Sequence, residues 1–431
     1  MNGRRFAERG RFFRHIGIAN LTILSMLERI FSPQSPCDCN VVHWESKLRR
    51  PRFHYRHSAV PRSFQLHGLL KPPAGKVAGV AQPVGYLISH EINDSSIVVN
   101  RLLKDGDQVF WLKEPVSVNG RKQGPGTIYV PASAKTRAIL DRGAATLGVS
   151  SEGVAARPGG EALQLKPARI GLWDQYGGLM PSGWLRWMLE QYEFQFEVVY
   201  PQALDAGNLV GRLDVIVFPD GAISRGGRYD TGSQPKPEDI PAEYRNRLGG
   251  FTAEKTLPQL KAFADAGGTI IAMGSSSRMG MLLGLPMSDG LTETVDGRDR
   301  PLPGTKFYVP GSVLRASIDN TSPMAHGMPS EVDIYFENSQ AFRLAADASL
   351  NGMQRGAWFS NATPLRSGWA WGQAYLEGKA EAVVSPLGQG KVFLIGFKAT
   401  FRGQPHGTFK LLFNSIYFGP AKSSSAGAAV Q

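Results

Sequence analysis

Four apolar runs constrain this chain most: "RIGLWD" (Arg169–Asp174), "FEVVY" (Phe196–Tyr200), "LDVIVFPD" (Leu213–Asp220) and "TIIAMG" (Thr269–Gly274). Each has the length and β-branched content of a strand buried on both faces. Helical patterns separate two of the pairs. In "SGWLRWMLEQYEF", Trp184, Trp187, Met188 and Tyr192 fall at the spacing of one helix face. In "FTAEKTLPQLKAFADAGG", Thr252 can act as N-cap and Gly267–Gly268 as the stop. Strands alternating with helices predict a mainly parallel α/β sheet covered on both sides.

The regularity has a clear beginning and end. Upstream, "YLIS", "QVFWLKEPV" and "GTIYVPA" read as strands. The helix "DSSIVVNRLLKDG" carries Asp94 at its start and Gly106 after its end, and "SAKTRAILDRGAATLG" is a second helix. Together they predict a small α/β module over 84–165, ending in the polar stretch "RPGGEALQLKPA". The larger α/β domain is expected over 168–420. Beyond Gly280, "KFYVPGSVLRASID" and "VDIYFENSQAFRL" read as antiparallel strands, and "EAVVSPLGQGKVFLIGF" as a hairpin. "GTFKLLFNSIYFG" is the last helix, and 421–431 reads as a low-complexity, flexible tail.

Residues 1–83 look different. Residues 1–75 hold thirteen Lys or Arg against four Asp or Glu, so they supply +9 of the formal +12. They read as a basic, poorly ordered leader. No nucleic-acid-reading motif accompanies the charge, no apolar run spans a bilayer, and the first apolar stretch lacks a cleavage site for a signal peptide. Cys37 and Cys39 ("CDC") have no further ligand at a metal-binding spacing, and His54 and His57 have no carboxylate nearby. The 50 Gly and 29 Pro of 431 residues exceed the ~12% usual in globular chains. They concentrate in loops, among them the polar insert between Asp220 and Phe251, which has the length of a lid or binding loop.

In open α/β sheets ligands bind beyond the carboxyl ends of the strands. The strand ends deliver Asp174, Asp220, and the serines Ser275, Ser276 and Ser277 of "GSSSR". That corner approaches the nucleophile pattern G-x-S-x-G, with Gly274 in place but Arg278 where the second glycine belongs. A serine nucleophile also needs a histidine base. His90 belongs to the upstream module and His326 to a turn-rich loop, so His406 is the one base a hydrolase could recruit. The loop "DQYGGLMPSG" does not match a dinucleotide fingerprint.

Three blocks carry a family resemblance: "GYLISHEINDSSIVVNRLLKDGDQVFWLKEPVSVNGRKQGPGTIYVPA", "RIGLWDQYGGLMPSGWLRWMLEQYEFQFEVV" with "LDVIVFPD", and "GQGKVFLIGFKATFRGQPHGTFKLLFNSIYFG". Over roughly 84–420 the chain resembles the C-terminal accessory region of bacterial zinc carboxypeptidase-like proteins of the carboxypeptidase A type. That region includes a domain similar to class I glutamine amidotransferases, with a flavodoxin-like sheet. The resemblance implies that zinc and the catalytic glutamate belong to a peptidase domain upstream. The first eighty residues are too few for that domain, as a truncated or frame-disturbed gene would leave them, so no zinc position carries over. The amidotransferase cysteine would fall at Ser276, and its histidine and glutamate at Lys398 and Thr400. Related full-length proteins are exported, and this chain shows no matching signal.

The expectation is therefore a non-catalytic accessory region that binds a peptide or a small polar ligand through Asp174, Asp220, Ser275, Ser276 and Lys398, with no cofactor of its own. Two enzyme readings stand as alternatives: a contribution to a zinc metallocarboxypeptidase, or weak serine hydrolysis by Ser276 and His406.

Overall fold

The computed structural model describes residues 73–118, 120–223 and 234–425. Residues 1–72 of the leader, with Cys37, Cys39, His54 and His57, lie outside them, as do 224–233 of the polar insert. No helix among the described residues is long and apolar enough to cross a membrane.

Five strands form the parallel half of a 12-stranded sheet: β1 (Ile170–Trp173), β2 (Phe196–Val199), β3 (Val215–Phe218), β4 (Thr269–Met273) and β5 (Gly390–Ile395). Their spatial order is β2-β1-β3-β4-β5, every neighbouring pair parallel. This is the flavodoxin-like, doubly wound order, in which the chain switches direction of travel at β1. Alternating residues build the two faces. Val215 and Val217 of β3 join one apolar cluster with Leu185, Met188 and Leu189 of helix α1 (Met180–Gln191). Ile216 and Phe218 join another with Leu260 and Phe263 of helix α2 (Thr256–Asp265). The turn before α2 is headed by Thr252, whose hydroxyl accepts from the Lys255 N–H at 3.1 Å, so the helix proper begins four residues after the expected N-cap.

β5 is the junction of the sheet. On one side it runs parallel to β4. On the other it pairs antiparallel with Ala380–Leu387 through a tight hairpin at Gly388–Gln389. Antiparallel pairing then continues through Gln354–Trp358 and Ser312–Ile318 to Glu331–Phe336.

The upstream segment forms a second, seven-stranded sheet. Its helix Ser95–Asp105 ends at Gly106 in the left-handed region (φ 88°), and Ser133 caps the helix Ala134–Leu147 by accepting from the Thr136 N–H at 3.0 Å. Three details differ from the sequence reading. The polar stretch after 157 contains a strand, Glu161–Leu165. Residues Lys422–Ser425, expected in a flexible tail, pair antiparallel with that strand. Backbone groups alone make such a ladder, so a serine-rich segment can complete an open edge without apolar side chains. Finally, Val77–Gly79, expected in the poorly ordered leader, forms a strand parallel to Ser151–Gly153. Helix α3 (Phe409–Phe418) joins the parts: the Tyr417 hydroxyl donates to Asn100 Oδ1 at 2.8 Å, and Asn414 Oδ1 lies 2.9 Å from His90 Nε2.

Candidate functional site

The carboxyl ends of β3, β4 and β5 converge. Two residues past β3, Asp220 turns its carboxylate toward the corner that follows β4. Its Oδ1 accepts the Ser275 N–H at 2.8 Å, and its Oδ2 lies 3.4 Å from Lys398 Nζ. Lys398, three residues past β5, is also paired with Glu337, which follows the distant strand Glu331–Phe336. Burial draws the Lys398 ammonium down, but the two carboxylates outweigh it and hold the group above the usual lysine range. Gly274 makes the close approach possible. It sits at φ 57°, and a Cβ there would stand 2.4 Å from the Asp220 carboxylate.

The corner after β4 does not present a nucleophile. A short 3₁₀ turn, Gly274–Arg278, follows the strand, and the left-handed residue is Gly274 rather than a serine. Ser276 is fully buried. Its hydroxyl donates to the Pro219 carbonyl at 2.5 Å and accepts from the Ile223 N–H at 3.2 Å. Ser277 donates to the Gly274 carbonyl, and Ser275 Oγ accepts from the Gly221 N–H at 2.9 Å. All three serines therefore tie the β4 corner to its own backbone or to the β3 loop.

His406 is exposed, with its ring centred 4.7 Å from that of Phe409, and its backbone carbonyl accepts from Asn93 Nδ2 at 2.8 Å. Among the described residues no hydrogen bond joins it to Ser276. Asp174 also works on backbone: its Oδ1 accepts the N–H groups of Gln175 and Leu179, both at 2.9 Å, shaping the entry to α1. Burial raises its pKa, and those two hydrogen bonds pull the other way.

Of the five candidate binding residues, the structure gathers Asp220, Ser275 and Lys398 around one point. Ser276 is buried beside them, and Asp174 serves the α1 loop. Next to the charged group lies a cavity of about 100 Å³. Met180, Pro181, Trp184 and Leu185 of α1 form one wall, Met273 and Pro219 close the strand side, and the loop Lys398–Arg402 forms the other wall.

The sequence reading placed Trp184, Trp187, Met188 and Tyr192 on one helix face. In the structure Met188 is buried, whereas both tryptophans are partly exposed and meet edge to face at 6.1 Å. Trp184 lines the cavity. Trp187 packs on Gly403, which sits at φ 65° and where a Cβ would come within 2.7 Å of the indole. Phe401 and Arg402 also escaped the sequence reading. Phe401 stacks on Tyr335 at 4.3 Å, so the loop wall is braced by the antiparallel half of the sheet. Arg402 occupies the left-handed region (φ 52°, ψ 25°), an uncommon conformation for a non-glycine residue.

A larger cleft, about 1320 Å³, opens in the upstream sheet between Lys76–Val80 and Asn320–Pro329. It is wide and lies away from the carboxyl edge. Its histidine, His90, is held near pKa 4 by burial and is engaged with Trp111 and Asn414. Among the described residues no cluster of three His, Cys, Asp or Glu is placed to hold a metal ion.

No protein-family profile and no curated protein matches the chain. Several solved structures share part of its α/β architecture at low identity. A cytoplasmic protein from Salmonella typhimurium matches at 14% identity and TM-score 0.34, covering 58% of this chain and 98% of that one. PurLQS from Thermotoga maritima matches at 15% and 0.36, covering 57% and 96%. A glutamine amidotransferase from Thermotoga maritima matches at 9% and 0.31, covering 54% and 76%. Likenesses this distant transfer no residue role and no activity.

Proposed function

We propose that this chain is a non-catalytic binding protein whose site is the cavity at the carboxyl ends of β3, β4 and β5. The observation that carries the reading is the state of Ser276. At the position where a hydrolase or amidotransferase exposes its nucleophile, this chain has a fully buried hydroxyl that donates to a backbone carbonyl. A serine nucleophile must be reachable and must hand its proton to a base. The neighbouring cavity nevertheless persists, with apolar walls and a few convergent charged groups, as small-ligand sites have.

The wider role follows the resemblance in the sequence: an accessory region of a carboxypeptidase-like protein that holds a peptide or a small polar ligand. Two measurements test the proposal. Purified protein is assayed with ester and peptide substrates, with and without zinc, alongside Ser276→Ala. Equal background rates throughout are expected, and turnover that disappears in Ser276→Ala would refute a non-catalytic role. A calorimetric screen with amino acids, short peptides and small carboxylates is expected to give heats that Trp184→Ala removes. Silence across the screen would refute the binding role.

A further inference from the structure

The charges around the cavity are not equivalent, and the difference identifies a ligand class. Lys398 is flanked by two carboxylates, Asp220 and Glu337, and Asp220 also accepts a backbone N–H. A ligand amine would have to displace Lys398 to reach either acid. A ligand anion at Lys398 would meet two negative neighbours. Arg402 stands apart. It lines the cavity and is exposed, and among the described residues no carboxylate lies within ion-pair distance of it. Its guanidinium carbon sits 5.0 Å from the Phe401 ring centre. Stacking on an aromatic ring fixes the plane of an arginine and leaves its edge of N–H donors free for a bidentate acceptor.

The left-handed backbone at Arg402 is strained for a non-glycine residue, and the turn bonds Phe401 N–H to Lys398 O and Gly403 N–H to Thr400 O hold it in place. The first turn of α1, at Met180 and Pro181, opens onto the same cavity and adds the positive end of a helix dipole. Apart from Thr400 the remaining lining is apolar, chiefly Met180, Trp184, Leu185, Met273 and Phe401. A dry cavity of roughly 150 Å³ admits a benzene ring, so about 100 Å³ suits a branched chain of four or five carbons.

We infer that the site takes an apolar monocarboxylate, a short branched or cyclic hydrocarbon group bearing one carboxylate, with the hydrocarbon between Trp184 and Met273 and the carboxylate on Arg402. The inference rests on the binding role proposed above and specifies its ligand. A free small acid and the carboxyl terminus of a peptide ending in leucine share this chemistry.

The test is calorimetry on the full chain with 4-methylpentanoate, its amide, the matching amine, and a leucine-ended peptide with a free or an amidated terminus. The carboxylate is expected to bind at least tenfold tighter than the amide, and Arg402→Gln to bring it down to the amide's level. Arg402→Gly, which relaxes the left-handed backbone, should do the same with no loss of melting temperature. Matching affinity from the free-terminus peptide assigns the source to a chain end, and binding of the small acid alone assigns it to a free acid. Equal affinity for acid and amide, or tightest binding of the amine, overturns the ligand class while sparing the binding role. Silence from all five probes overturns both.

Discussion

Strand β3 carries an aspartate just beyond each end, and the two meet different fates. At the amino end, Asp214 accepts the Arg169 backbone N–H at 2.8 Å, the Arg169 guanidinium at 3.0 and 3.1 Å, and Lys166 Nζ at 2.9 Å. Burial opposes its charge, but these donors win and hold its pKa near 2. At the carboxyl end, Asp220 has one backbone donor and a share of Lys398, and it borders a cavity. One strand and one residue type thus give a saturated clamp at one end and an open group at the other. The difference is topological. Carboxyl ends of a doubly wound sheet diverge around the switch at β1, which leaves a crevice there.

A third carboxyl makes the contrast sharper. Glu381, in the strand beside β5, is fully buried, and among the described residues neither of its oxygens has a hydrogen-bond partner. Burial alone raises its pKa well above the usual carboxylate range. The three acids rank from clamped to open to unsatisfied, and the mutations that test this ranking differ in size and sign.

The largest expected effect is at the clamp. Asp214→Ala should destabilise the protein by about 2–3 kcal/mol, the scale of charge-assisted hydrogen bonds. Because the folded pKa is depressed, the wild-type advantage is complete above the unfolded value near 3.8 and fades as pH falls toward 2. Urea unfolding of both proteins at pH 7 and pH 3 checks the loss and its shrinkage. An acid-independent difference would break the comparison.

Glu381→Gln should act with the opposite sign. The folded state keeps this carboxyl protonated, so raising the pH above about 4.5 favours the unfolded chain. The variant should gain stability as the pH rises from 4.5 to 8, read from the same unfolding curves. A gain that does not grow with pH would mean that Glu381 ionises in place.

Smaller changes are expected at the open end. Asp220→Asn should cost about 1 kcal/mol, since Lys398 keeps Glu337 and the Ser275 N–H keeps an acceptor. Ser276→Ala should cost a similar ~1 kcal/mol by leaving the Ile223 N–H without its acceptor. Trp184→Ala should shift stability by less than about 0.5 kcal/mol, as at other partly exposed positions, yet weaken ligand binding at least tenfold by calorimetry. A destabilisation at Trp184 as large as at Asp214 would make the cavity wall part of the core rather than of a site.

Four strands of the parallel half were legible as mostly apolar runs, three of them ending in Gly or Asp, and strand ends in such sheets predict where polar groups gather. That logic located Asp220 and Ser275, whereas Lys398 came from the family resemblance. It left the burial of Trp184 open, because helical spacing groups residues by angle and cannot distinguish a buried face from the flank beside it. It could not find Glu337 or Tyr335, which reach Lys398 and Phe401 from an antiparallel strand far away in sequence. Arg402 gave no signal, since its importance lies in a backbone angle and in the absence of an acidic neighbour. Glu381 reads as one polar residue opening an apolar strand, which normally signals a solvated end.

The pairing of Lys422–Ser425 with Glu161–Leu165 has a consequence for synthesis. While a ribosome is still making the chain, the strand Glu161–Leu165 emerges long before its neighbour and shows a bare rim of amide and carbonyl groups throughout translation of the large sheet. The nascent protein is therefore prone to sticking to other copies until Lys422–Ser425 appear, and deleting only those four residues should lower the yield of dispersed product.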